Sequence, residues 1–124
     1  MAHILVIEDD AYTAKLLSMG LERFGHSVIC AGDGTEGIAR ARAHSPDLIL
    51  LDVMLPHMHG FEVLRHLKQN PMTHAVPVMM LTAQTDGRSV LAGIDRGADA
   101  YLSKPIDFPD LLRRIERCLA SRAA

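Results

Sequence analysis

The sequence predicts an α/β fold: five strand–helix units forming a doubly wound parallel sheet with helices on both faces. Two observations carry this reading. Five short apolar runs recur along the 124 residues, and three of them are continuous rather than alternating, as in strands covered on both sides. Between them lie segments of helical period, the first four ending near a Gly or Pro.

The first strand is Ile4–Ile7. The helix after it runs from about Ala11 to Phe24, with Ala14, Leu17, Leu21 and Phe24 on one face and Gly25 as its stop. Strand two is Val28–Cys30. Its helix, about Thr35 to His44, places Ile38 and Ala41 or Arg42 a turn apart before Pro46. Strand three is Leu48–Leu51. The helix from about Gly60 to Lys68 carries Phe61, Leu64 and Leu67 on one stripe, and Asn70-Pro71 ends it. Strand four is Val78–Leu81. A fourth helix, about Gly87 to Arg96, carries Val90, Leu91 and Ile94, with Asp86 as cap and Gly97 as stop. Strand five is Ala100–Leu102, and a fifth helix from about Phe108 to Ser121 carries Leu111, Leu112, Ile115 and Leu119.

At 48% hydrophobic and 23% charged residues, the chain suits one core and one domain over residues 1–124. With 13 basic and 15 acidic side chains it carries no excess charge to hold nucleic acid or an anionic membrane. Cys30 and Cys118 lie far apart without a CxxC pattern and read as two buried, reduced thiols of a cytoplasmic protein. There is no signal-peptide pattern, and no apolar run approaches the ~18 residues of a membrane span. Linkers, repeats and a second module are not expected.

In such sheets the site lies at the carboxyl ends of the strands. Glu8-Asp9-Asp10 follow the first strand, Asp52 the third, Thr82 the fourth and Ser103-Lys104-Pro105 the fifth. Each has an ordinary reading by itself. The acids suit the first turn of a helix, Thr favours strands, and a lysine before proline is commonly a surface group. Together they predict a charged pocket. Carboxylates ~4 Å apart repel by up to ~4 kcal/mol at a surface-like dielectric, so Glu8, Asp9 and Asp52 need compensating cations. Lys104 supplies one charge. An oxygen-only, carboxylate-rich cluster suits Mg²⁺ or Mn²⁺ rather than Zn²⁺ for the rest.

The motifs "ILVIEDD", "PDLILLDVMLPHMHG", "VPVMMLTA" and "GADAYLSKP", in this order and spacing, resemble those of the receiver domain of two-component response regulators, over essentially the whole chain. The resemblance implies a flavodoxin-like sheet of order 2-1-3-4-5, as in chemotaxis receivers. It implies Asp52 as phosphoacceptor and Asp9 as a direct Mg²⁺ ligand, with Glu8 acting through water. Asp52 itself and the backbone carbonyl of Met54 complete the protein ligands. Lys104 is implied to pair with Asp52 and then with the phosphoryl oxygens, and Thr82 to hydrogen-bond one of them. Tyr101 resembles the switch aromatic that follows Thr82, and Lys104–Pro105 is implied to be cis. The switched surface would be the fourth helix, fifth strand and fifth helix, which also allows a homodimer. The implied partners are a sensor histidine kinase or histidine phosphotransfer protein upstream, and a downstream protein target or output domain. The only catalysis implied is of the chain's own phosphorylation and dephosphorylation.

Met54 and Gln84, each two residues beyond a site residue, are expected to set the lifetime of the phosphorylated state. His57 and His59 read as loop histidines near the acidic pocket that make phosphorylation mildly pH-dependent, rather than as a Zn²⁺ pair. A receiver cut from a longer regulator is an alternative reading. A Mg²⁺-dependent phosphatase with an aspartyl-phosphate intermediate fits less well. It would need an acid where Met54 stands and a cap for its substrate. A degenerate receiver that only binds partners is at odds with Glu8, Asp9, Asp52, Thr82 and Lys104 all being present.

Overall fold

The computed structural model describes residues 1–82 and 97–123. Five strands, β1 (His3–Ile7), β2 (Ser27–Ala31), β3 (Leu48–Asp52), β4 (Val78–Thr82) and β5 (Ala100–Ser103), form one sheet in the order β2-β1-β3-β4-β5. Every pairing is parallel. The helices among the described residues are α1 (Ala11–Arg23), α2 (Gly34–His44), α3 (Gly60–Gln69) and the C-terminal α4 (Phe108–Ala123). The fourth helix expected from the sequence, with Asp86, Val90, Leu91 and Ile94, lies outside the described residues, as does Gln84.

The continuous apolar strands are explained by a core on each side of the sheet. Successive strand side chains point to opposite faces. Leu5, Ile7, Ile49, Leu51, Val78 and Met80 therefore join Phe61, Leu64 and Leu67 of α3 and Ala41 of α2. Their neighbours Ile4, Val6, Leu48, Leu50, Met79 and Leu81 join Leu17 and Leu21 of α1 and Leu111 and Ile115 of α4. β3 and β4 are buried throughout, whereas the edge strands β2 and β5 are only partly covered.

Two burial expectations from the sequence fail. Cys30, expected to be buried, is exposed because it lies on the partly covered edge strand β2, and Cys118 is only half-buried. Phe24 was placed on the buried face of the first helix, yet it is 63% exposed. It is the C-cap of α1, with φ −97° and ψ 16°, so its side chain leaves the helical phase of Leu17 and Leu21. Its ring lies 6.2 Å from that of Phe108 instead. Gly25 follows with φ +90°, the left-handed conformation that glycine adopts most readily.

Candidate functional site

β1 and β3 are neighbours, so their carboxyl ends deliver acids side by side. Glu8 follows Ile7 and is 2% exposed; Asp52 is the last residue of β3 and is 4% exposed. Asp9 is exposed next to Glu8. Glu8, Asp9 and Asp52 each offer a carboxylate oxygen, and these oxygens all lie within 4.8 Å of one another. Thr82 ends β4 at the same edge, buried, and stands in register with Ser103, the residue before Lys104.

Lys104 reaches across this edge. Its Nζ lies 3.1 Å from Glu8 Oε1 and 3.2 Å from Asp52 Oδ1. The Lys104–Pro105 bond is cis, and the Lys104 backbone N–H donates to the Thr82 carbonyl at 2.8 Å. Backbone donors also serve the acids: Asp10 N–H lies 3.3 Å from Glu8 Oε2, and Met54 N–H lies 3.3 Å from Asp52 Oδ1. Met54 itself points its side chain outward, 62% exposed.

The loop from β3 to α3 is drawn tightly under the pocket. Gly60 N–H donates to the Val53 carbonyl at 2.8 Å. A Cβ at Gly60 would lie 2.4 Å from the Asp52 carbonyl oxygen, so only glycine lets α3 start this close to the strand. His59 caps α3, its Nδ1 accepting from Phe61 N–H at 3.1 Å. His57 has φ +67° in the loop ahead of it. The sequence did not single out Gly60 for its close approach, although a glycine opening a helix next to a charged strand end is the visible signal.

Electrostatics follow from the crowding. Burial holds the Glu8 carboxyl above its ordinary range, and its hydrogen bond to Asp52 and the Asp52 charge add to this; Lys104 opposes them. For Lys104, burial alone would lower the ammonium's pKa. The Asp52 charge, with the hydrogen bond and charge of Glu8, outweighs burial and raises it. The cluster thus holds three carboxylates against one ammonium. Its oxygen-only donor set and its excess of negative charge fit a hard divalent cation such as Mg²⁺.

A cleft of about 430 Å³ adjoins Lys104, lined by Leu16, Leu17 and Gly20 of α1 and by Ile106 and Phe108. Leu16, Tyr12 and Met19 expose apolar surface along the same helix.

The family model of the response regulator receiver domain matches residues 4–116. The chain belongs to this family. The receiver is 43% identical over 119 residues to the DNA-binding dual master transcriptional regulator RpaA of Synechocystis sp., a match covering 96% of this chain and 49% of that protein. It is 40% identical over 119 residues to the response regulator ArlR of Staphylococcus saprophyticus, covering 96% of this chain and 53% of that protein. The chain thus spans about half the length of these curated relatives. The chemotaxis protein CheY4 of Vibrio cholerae matches it with a TM-score of 0.90 at 32% identity, over 96% of this chain and 99% of that one. This is the flavodoxin-like receiver fold, and the family places the chain in two-component signalling. No helix among the described residues is long and apolar enough to cross a membrane.

Proposed function

We propose that this receiver accepts a phosphoryl group on Asp52 from a phosphohistidine of a sensor histidine kinase or histidine phosphotransfer protein. The observation that carries the reading is the convergence of Glu8, Asp9, Asp52 and Lys104 at one sheet edge. In the transfer, an Asp52 carboxylate oxygen forms a bond to phosphorus as the phosphorus–nitrogen bond of the donor breaks. The products are an acyl phosphate and a free imidazole.

Asp9 directly, Glu8 through water, Asp52 and the Met54 carbonyl would hold Mg²⁺, with Mn²⁺ as substitute. Bound there, the ion would offset charge on the phosphoryl oxygens. Lys104 already pairs with both Asp52 and Glu8, and in the product its ammonium turns to the new anion. Thr82 donates its hydroxyl to a phosphoryl oxygen, which draws the ends of β4 and β5 toward Asp52. Tyr101 follows as the switch aromatic. The added charge of about −2 is the signal, and it biases the surface that includes β5 and α4. A downstream protein or output domain reads that surface, which also serves a homodimer.

Met54 and Gln84 set the lifetime of the acyl phosphate. An unchanged decay rate after both are exchanged would remove that assignment. His57 and His59 make the transfer mildly pH-dependent, and equal acetyl phosphate reactivity at about pH 6 and about pH 8 would count against it. The chain contributes only to its own phosphorylation and dephosphorylation, and acts in the cytoplasm. A second reading is favoured by the length of the relatives: the receiver controls a DNA-binding output, as the name of RpaA describes for that protein.

Incubation with acetyl phosphate and Mg²⁺ should add one phosphoryl group by intact mass, and Asp52→Asn should add none. Addition to Asp52→Asn, or none to the wild type, would contradict the assignment.

A further inference from the structure

A charged strut joins the C-terminal helix to the backbone of β5. Arg114, in the second turn of α4, donates from Nη1 to the Tyr101 carbonyl oxygen at 3.1 Å. Its guanidinium is fixed from the other side, because Nε donates to Asp110 Oδ2 at 3.0 Å. Asp110 is held in turn by Arg113 Nη2. A planar guanidinium gripped at two edges transmits displacement better than a flexible ammonium does.

The same few residues of chain carry the pocket's cation. Tyr101 lies three residues before Lys104, whose Nζ touches both Glu8 and Asp52. The Tyr101 side chain is half-buried and packs against the core of Met80 and Val78. This segment therefore offers an ammonium to the pocket, a ring to the core and a carbonyl to the helix. A movement of Lys104 relative to Asp52 would act on the end of β5, which Arg114 holds at the Tyr101 carbonyl.

We propose that Arg114 is a positioning residue that couples the state of the Asp52 pocket to α4 through the Tyr101 carbonyl. The proposal rests on the reading of Asp52 as phosphoacceptor. Its physical content is one two-state element, β5, biased at one end by the pocket and read at the other by the helix. The Arg114 side chain is 40% exposed, and exposed ion pairs add little to stability. Loss of Arg114 is therefore expected to leave the fold intact and to remove the coupling.

The test combines two measurements on the whole chain treated with acetyl phosphate and Mg²⁺: phosphoryl addition by intact mass, and amide hydrogen exchange in α4 peptides before and after it. The wild type should show altered α4 exchange on phosphorylation. Arg114→Met, which keeps the apolar stem, should take up the phosphoryl group as well as the wild type and lose the α4 response. Asp110→Asn, which leaves the guanidinium in place but loosens its clamp, should weaken that response, and it carries the test if Arg114→Met fails to fold. A full response in both variants overturns the coupling and leaves the phosphoacceptor reading standing. No phosphoryl gain by the wild type overturns both.

Discussion

Glu8 is the residue where folding and function are most at odds. Its carboxyl is buried beside Asp52, and burial, with the Asp52 contact, raises its pKa above the ordinary 4.5 despite Lys104. At this site the native state therefore binds its proton more tightly than the unfolded chain, so Glu8's contribution to stability is most favourable below pH 4.5 and falls as pH rises through the raised native value. Glu8→Gln should accordingly raise the Tm at neutral pH in the presence of EDTA, with the gain shrinking toward about pH 4. Thermal melts at the two pH values check this. A lower Tm for the variant at neutral pH would mean that the ion pair with Lys104 outweighs burial and the Asp52 charge. A divalent cation should act in the opposite sense from EDTA. Mg²⁺ should raise the Tm of the wild type more than that of Asp52→Asn, since a ligand that binds only the native state stabilises it.

At the scale of elements, the strands were legible because both faces of β3 and β4 are buried, leaving continuous apolar runs. Helices α1 and α3 were legible from apolar spacing and from their Gly25 and Asn70-Pro71 stops. Phe24 was misread because spacing does not show where a helix gives way to its cap. The cap of α3 was also hidden, since His is not among the usual N-cap residues and the two loop histidines looked alike. In the structure His59 Nδ1 accepts from Phe61 N–H, while His57 does not cap the helix. His59→Ala should cost about 1 kcal/mol in denaturant unfolding, and His59→Asp should restore it. An unchanged midpoint for His59→Ala would remove the capping role. Gly60→Ala should cost about 1–3 kcal/mol, because the new methyl meets backbone rather than a flexible side chain. It should also slow phosphoryl uptake by displacing the loop that carries Met54. Uptake at the wild-type rate, measured by intact mass over time, would separate the loop from the chemistry.

Over the whole molecule, the strand order makes the pocket. Because β1 and β3 are adjacent and β4 and β5 follow, acids from the first and third strands meet an ammonium from the end of the fifth, and Thr82 ends the fourth at the same edge. The residues at those ends could be read from the sequence, and so could their convergence once a parallel sheet was assumed. Lys104 bridging Glu8 as well as Asp52 could not be read. Lys104 and Glu8 are separated by 96 positions, and the contact depends on how the β5–α4 turn packs. The strut from Arg114 to Tyr101 was hidden for a similar reason, since its acceptor is a backbone oxygen that any residue at position 101 would supply. The most direct test of phosphoryl transfer to this pocket is to trap the product chemically. After treatment with acetyl phosphate, borohydride reduces an aspartyl phosphate to homoserine, and peptide mapping locates it. Homoserine at position 52, formed with Mg²⁺ and not with EDTA, is the predicted result. Its appearance at another acid, or at none, would contradict Asp52 as the phosphoacceptor.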